Sequence, residues 1–133
     1  MKGEVLIPGS ARGSLLKLQA PISFWGGVDA ASGMIIDVRH PDHGRCIAGM
    51  ILALPGTIGS SSSSSVLLEL IHRGQAPKAL ILVAPDAILL LGLVVAREMG
   101  WLVPAALRLN ASDFARLAEN CYVLHEDGRI ERE

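Results

Sequence analysis

The sequence predicts an α/β fold, and two patterns indicate this class. Short apolar runs separated by Pro and Gly are typical of strands, and they fill much of the N-terminal half. From residue 66 onward such runs alternate with segments of helical periodicity, as in an α/β layer. The length of 133 residues is that of one domain, which we place at residues 1–133.

The first half contains the predicted β structure. Gly3–Leu18 contains two short apolar segments separated by turn residues, and Gly33–Val38 has the pattern of a further strand. His40–Gly44 is predicted to be a turn, and Ile47–Leu54 a tightly packed strand. Between these segments Gly26 and Gly27 form a loop whose backbone can approach a ligand closely, although a simple turn explains them equally well.

The second half alternates between strands and helices. Predicted helices begin near Val66, Pro85 and Ser112, and they end near Gly74, Gly100 and Glu119. Predicted strands lie at Ala79–Ala84 and Trp101–Leu109, and Tyr122–Ile130 is predicted to be a hairpin turning at Asp127 and Gly128. Pro85 and Asp86 interrupt the apolar stretch Ala79–Ala96, so we predict no membrane span there, and residues 1–8 carry no export signal.

The composition limits the classes of partner. Hydrophobic residues make up 50% of the chain and charged residues 19%. The mean hydropathy of +0.42 is high for a small domain and suggests that another chain covers part of its surface. A net charge of -1, with no basic stretch, argues against nucleic acid. Cys46 and Cys121 are too few for a disulfide scaffold or a metal cage within this chain, and we predict them to be buried thiols in a reducing cytoplasm.

Six consecutive serines, Ser60–Ser65, are the most unusual local feature. Such a run is ordinarily a flexible linker, but this one separates an apolar strand from an amphipathic helix. Hydroxyl groups and unpaired amides at a helix N-terminus favour a negative charge, so the run is a candidate anion site. Capping is the preferred function for Ser64 and Ser65. The run matches neither the phosphate loop nor the hydrolase nucleophile elbow.

The remaining polar candidates are weaker. His40 and His43 flank Asp42 at a spacing that a metal site can use, but a surface turn is the preferred interpretation. His72 is predicted to interact with a helix C-terminus, and His125 lies in the predicted hairpin. Asp86 stands at a helix start, where a carboxylate is expected for electrostatic reasons.

The order of several landmarks along the chain is more specific than any of them alone. They are Pro21–Asp29, His40–Pro41, Ile47–Gly49, Gly59 with the serine run, Gly74–Pro77, Pro85–Ile88 and Gly92. Together they resemble the small subunit of aconitase X over roughly residues 3 to 125. The resemblance implies a swivelling β/β/α domain, the counterpart of the mobile fourth domain of aconitase, with a small β-barrel or sandwich layer and flanking helices.

The resemblance also implies a cofactor and a partner. Enzymes of this superfamily are dehydratases or isomerases whose iron–sulfur cluster is bound by another domain or subunit, where its iron acts as a Lewis acid on the departing hydroxyl. We therefore expect a large subunit that binds the cluster, with no metal ligand in this chain. Burial of one face against that subunit would account for the apolar excess.

The resemblance further implies a catalytic loop. In the superfamily a Gly-Ser-Ser-Arg loop supplies a serine alkoxide that removes the substrate proton, and its arginine binds a carboxylate. Gly59, Ser60, Ser61 and Ser62 occupy the corresponding positions, which makes Ser60 the general base and the other three substrate-binding. Ser62 replaces the arginine, so a salt bridge to the substrate would have to come from the large subunit. Gly26 and Gly27 are further candidates for lining the site.

Two substrates follow from the resemblance: cis-3-hydroxy-L-proline, dehydrated toward a pyrroline-2-carboxylate, and mevalonate 5-phosphate, dehydrated to an anhydro product. The sequence favours the first, because no Lys or Arg lies between Arg45 and Arg73 to bind a phosphate. A non-catalytic anion-binding module and a structural subunit whose serines only cap and connect are the alternative functions.

Overall fold

The chain forms a mixed sheet with helices, seen in a computed structural model that describes residues 1–58 and 62–133. Its strands are β1 (Glu4–Ile7), β2 (Ala11–Lys17), β3 (Ile51–Leu54), β4 (Ala79–Leu82), β5 (Ala105–Arg108), β6 (Cys121–Leu124) and β7 (Ile130–Arg132). Its helices are α1 (Phe24–Gly27), α2 (Ser62–His72), α3 (Ala87–Glu98) and α4 (Ala111–Arg116). The predicted α/β class is confirmed.

The centre of the sheet is parallel, in the order β1-β5-β4-β3-β2-β6-β7. Strands β2 to β5 pair in parallel, whereas β1 and the β6–β7 hairpin add antiparallel edges. Helix α2 connects β3 to β4 and helix α3 connects β4 to β5, as parallel pairing requires. The loops that follow β3 and β4 therefore lie at the same edge of the sheet.

Alternating side chains of β3 contribute to two cores, because successive strand residues point to opposite faces. Leu52 and Leu54 belong to the core under α2 and α3, and Ile51 and Ala53 belong to the core on the other face. All four side chains are fully buried. Residues of α4, β6 and β7 complete the second core. The chain thus has α2 and α3 on one face of the sheet, whereas α4 and side chains of β6 and β7 contribute to the core on the other face.

The segment between β2 and β3 differs from its prediction. The expected strand Gly33–Val38 forms only isolated bridges, in which Ile35 pairs with Val28 and Met34 with Cys46. These partners are close in sequence, so the segment folds back on itself and does not join the sheet. The expected strand Ile47–Leu54 is shorter and begins at Ile51.

Two helix starts also differ from their predictions. Helix α2 begins at Ser62, four residues before Val66, which places Ser64 and Ser65 inside the first turn and not at the cap. Helix α4 begins after Asn110, whose side chain accepts the Asp113 amide at 2.8 Å. In contrast, α3 begins as predicted, directly after Asp86.

The predicted turn at His40–Gly44 is present, but it is a partly buried polar cluster and not a surface turn throughout. His40 and Asp42 are 7% and 2% exposed, whereas His43 is exposed. The Asp42 amide donates to Nδ1 of His40 at 3.0 Å, so Nε2 carries the proton and donates to the Ala20 carbonyl. The Asp42 carboxylate accepts a hydrogen bond from the backbone amide of Gln19 at 2.9 Å. The cluster thus fixes this turn to the chain leaving β2.

Cys46 and Cys121 are free thiols as predicted, but the prediction that they are buried is wrong, because both are exposed. The histidines elsewhere lie where the sequence placed them. His72 ends α2 and contacts the Trp101 ring at a centroid distance of 5.8 Å, and His125 lies between β6 and β7, 3.2 Å from the Glu131 carboxylate. Across residues 1–58 and 62–133, no helix combines the length and apolar character needed to cross a membrane.

Candidate functional site

The candidate site lies at the sheet edge where β3 and β4 end. In open α/β sheets, ligands bind outside the carboxyl ends of the strands. Here the loop after β3 leads into α2, the loop after β4 leads into α3, and a cavity of about 420 Å³ lies between the two loops. The cavity is lined by Gly56, Thr57, Ala84, Pro85, Asp86, Ala87 and Ile88.

Asp86 joins the two loops. One oxygen of its carboxylate accepts the amides of Ile88 and Leu89, at 3.0 and 3.2 Å, and thereby caps α3. The other oxygen accepts the Thr57 hydroxyl at 2.7 Å. The carboxylate is therefore a structural acceptor that fixes the start of α3 to the residues leading into the serine run.

The glycine pair lies at the same edge. Ile22 bridges Thr57 in parallel, and the Ile58 amide donates to the Ile22 carbonyl at 3.0 Å. The turn α1 that follows Ile22 packs against α2. Gly26 has φ +77, and a Cβ placed on it would meet no atom of the described residues within 4 Å, whereas Gly27 is buried against Ile22. Both glycines therefore lie beside the segment that enters the serine run.

The serine run is described from Ser62 onward, and Gly59, Ser60 and Ser61 lie outside the described residues. Ser62 is the first residue of α2 and is half-buried. Ser63 is 1% exposed, and its hydroxyl makes no hydrogen bond within the described residues. A buried hydroxyl without a hydrogen-bond partner costs free energy, so this group lowers the stability of the first turn of α2.

Close packing fixes the first turn of α2 against α3. A Cβ placed on Gly92 would lie only 2.8 Å from the Cβ of Ser64. Only glycine therefore permits this approach between the two helices. The position of the first turn of α2 therefore depends on the glycine at position 92, near the centre of α3.

The electrostatics at this edge combine a helix N-terminus with a carboxylate. The first turn of α2 contains no acidic residue, and Asp86 is the one charged side chain among the described residues that line the cavity. A helix N-terminus carries about half a positive charge. Within the described residues, the cavity lining offers no side-chain cation for a salt bridge to an anion.

The groups with shifted pKa values lie outside this edge and have structural contacts. The Ser32 hydroxyl donates to Asp29 at 2.6 Å and, together with the Ala31 amide, holds the pKa of that carboxyl below its usual value. A hydrogen bond to Glu119 raises the pKa of Arg45, with a smaller contribution from Asp42. These contacts fix the irregular segment between β2 and β3.

The described residues do not fit an iron–sulfur cluster. Such clusters are typically bound by about four cysteine thiolates. Cys46 lies near the Ser32 carbonyl and Cys121 near the Ser14 hydroxyl, on different segments. Within residues 1–58 and 62–133, no three His, Cys, Asp or Glu side chains are grouped to hold a metal ion.

Comparison with known proteins shows the family. The model of the aconitase X swivel domain matches residues 1–131. The chain belongs to the aconitase X swivel-domain family. The predicted swivel fold is confirmed, because the crystal structure of Thermococcus kodakaraensis aconitase X in its holo-form superposes with a TM-score of 0.86 and 28% identity, covering 99% of this chain and 96% of that one.

Two curated relatives indicate what swivel domains of this kind belong to. The cis-3-hydroxy-L-proline dehydratase of Pseudomonas aeruginosa is 48% identical over 131 residues, which is 93% of this chain and 23% of the relative. The phosphomevalonate dehydratase small subunit of Methanothermobacter thermautotrophicus is 39% identical over 93 residues, 70% of this chain and 71% of the relative. The swivel domain thus spans about a quarter of the first relative.

Sequence reasoning missed three features of this edge of the swivel domain. The Thr57–Asp86 hydrogen bond joins residues 29 apart, so no local pattern indicates it. The burial of Ser63 follows from a helix start that the periodicity placed too late. The contact of Gly92 with Ser64 had a signal, since an isolated glycine inside a helix usually has a packing reason.

Proposed function

We propose that this chain, as one swivel domain over residues 1–133, is the small subunit of an iron–sulfur-dependent dehydratase of the aconitase X type. Its proposed substrate is cis-3-hydroxy-L-proline, which loses water to give a pyrroline-2-carboxylate. The observation that carries this proposal is the 48% identity over 131 residues to a cis-3-hydroxy-L-proline dehydratase. Two exposed, unpaired cysteines support a reducing cytoplasm as its location.

The chemistry of the sheet edge supports an unphosphorylated substrate. Among the described residues that line the cavity there is no Lys or Arg, and phosphate sites normally contain such a residue. The N-terminus of α2 adds a partial positive charge, which is sufficient only to supplement a carboxylate site. The remaining charge on the substrate would be balanced by the large subunit.

Ser60 is the proposed general base, with Gly59, Ser61, Ser62, Gly26 and Gly27 as substrate-binding residues. Their placement around the start of α2 and beside the turn α1 supports this assignment for the described members. A helix N-terminus stabilises a serine alkoxide through its dipole and its unpaired amides. We place the cluster on the large subunit, because the described residues of this chain offer no ligand set for it.

Dehydration of mevalonate 5-phosphate is the second candidate function. The share of each relative that this chain matches favours this function. The chain matches 71% of the length of a phosphomevalonate dehydratase small subunit but only 23% of the length of the hydroxyproline enzyme. A separate small subunit is thus known among the phosphomevalonate relatives.

The deciding experiment is reconstitution with the large subunit. The two chains are co-expressed, the cluster is reconstituted anaerobically, and loss of each substrate is followed separately. Turnover of cis-3-hydroxy-L-proline is the expected result. Turnover of mevalonate 5-phosphate alone would replace the first candidate with the second. An anion bound by the isolated chain, with no association and no turnover, would instead support a non-catalytic module.

Replacement of Ser60 tests the base. Ser60→Ala is expected to lower kcat about 10²- to 10⁴-fold, the usual contribution of general-base catalysis, without changing the affinity for the large subunit. Ser65→Ala is the matched control, because Ser65 is an exposed serine of the same run inside α2. Normal turnover by the Ser60 variant would remove that residue from the mechanism.

A further inference from the structure

Helix α3 has an apolar outer face. Its first ten residues, 87–96, contain no charged side chain. Leu89, Leu93 and Ala96 are buried against the domain, but the opposite face is also apolar and remains exposed. Its members are Ile88 (50% exposed), Leu91 (64%), Val94 (44%), Val95 (49%) and Met99 (64%), which we call the α3 stripe. A helix that is apolar all round is normally buried on all sides.

The neighbouring helix shows that this pattern is specific to α3. Helix α2 packs on the same face of the sheet, and its outward positions include Ser65, Glu69 and His72. Glu69 pairs with Arg73 at 2.6 Å, as is typical of a solvated helix face. The exposed apolar surface is therefore a property of α3 and not of the whole helical layer.

The α3 stripe begins at the candidate site. Ile88 is both its first member and a wall of the cavity beside the serine run. From there the stripe follows α3, a helix of 12 residues and thus about 18 Å long, toward the opposite end of the sheet. A chain that covers the cavity can extend its contact from Ile88 along the rest of the stripe.

We propose that the α3 stripe is the surface by which this domain binds the large subunit, against an uncharged apolar surface on that chain. The inference rests on the proposed function. The large subunit is the proposed partner because, in one relative, the matching swivel domain makes up only 23% of the protein. The rest of that relative is a much larger polypeptide attached to the swivel domain.

A charge-pair variant tests the stripe. Leu91→Glu with Val95→Lys places opposite charges at i and i+4, which keeps the net charge and supports the helix. We expect the dissociation constant for the large subunit to rise about 100-fold, with kcat at saturating large subunit within about twofold of wild type. Ala111→Glu with Ala115→Lys is the matched control on exposed positions of α4, and we expect it to bind like wild type.

Amide hydrogen exchange provides a second measurement that needs no variant. Adding the large subunit to the wild-type chain should slow exchange in residues 86–100 at least about tenfold and leave residues 111–119 unchanged. Wild-type affinity in the folded α3 variant, or no protection of residues 86–100 in the complex, would overturn the inference. The inference would also be overturned if this chain forms a dimer that the α3 variant abolishes, while the same variant binds the large subunit normally. A wild-type complex that forms but turns over neither substrate would instead contradict only the proposed function.

Discussion

Replacing Gly92 with alanine should displace the first turn of α2 and lower activity more than stability. The substitution adds a Cβ at the point where α3 contacts the serine run, 2.8 Å from the Cβ of Ser64. Ordinary contacts between such atoms begin near 3.4 Å. The two helices must therefore separate locally by about 0.6 Å, or the turn must rotate by an equivalent distance.

Two opposing contributions set the effect on stability. Overpacking of this kind costs about 1–3 kcal/mol, whereas alanine gains about 1 kcal/mol over glycine inside a helix. The free energy of unfolding should therefore fall by no more than about 2 kcal/mol, and Tm by less than about 10 °C. Catalysis is more sensitive, since a misplacement of about 1 Å can cost about 10²-fold. A shift of about 0.6 Å implies a loss of kcat of at least about tenfold.

The assay is steady-state dehydration by the reconstituted enzyme, with thermal unfolding in parallel. Two second-site variants provide the control. Ser64→Gly removes the opposing Cβ and should restore kcat in the Gly92→Ala background to that of Ser64→Gly alone. Ser64→Ala retains the Cβ and should give no rescue. The double-mutant cycle thus separates steric displacement from loss of the hydroxyl. Full activity of Gly92→Ala, or equal rescue by both Ser64 variants, would refute the reasoning.

Three further predictions concern stability. Ser63→Ala removes a buried hydroxyl that lacks a partner among the described residues, so Tm should stay unchanged or rise, and a lower Tm would contradict this. Asp42→Ala leaves the Gln19 amide without its acceptor and should cost about 2–3 kcal/mol in urea unfolding, with Asp42→Asn costing less. The pKa of Asp29 is lowered in the folded chain, so its ionised form stabilises the fold. This stabilisation is fully present above the unfolded pKa of about 3.9 and is lost as the pH falls through the folded pKa. The difference in Tm between wild type and Ser32→Ala should therefore shrink in acid, and a constant difference would exclude this linkage.

The elements that the sequence predicted well carry their own stop and start signals. Asp86 caps α3, and Gly128, with φ +94, forms the turn before β7. The apolar run that became β4 is buried on both faces, so its pattern is continuous and easily recognised. Local chemistry is sufficient in these places, because the determining contacts lie within a few residues.

The predictions that failed depend on distant contacts. Gly33–Val38 has strand-like residues, but no strand of the sheet is available beside it, and Ile36 and Val38 remain exposed. Asp42 is buried because the Gln19 amide, 23 residues away, meets it. Neither the isolation of Gly33–Val38 nor the contact between Gln19 and Asp42 can be recognised from a local sequence pattern. The resemblance placed the candidate site at the serine run, but the Thr57–Asp86 bond that fixes this edge required the structure.

The packing of α2 divides the serine run into two parts with different requirements. Ser63 is buried, and the Cβ of Ser64 would lie 2.8 Å from a Cβ on Gly92. Both positions therefore have packing requirements that do not depend on the reaction. Ser65 is exposed inside the helix and has no such constraint. The packing thus accounts for small residues in the first turn of α2, and Ser60 is the proposed general base. Substitutions at Ser63 and Ser64 should consequently act through the position of the turn and the fit of the substrate, and a loss of proton abstraction should be specific to Ser60.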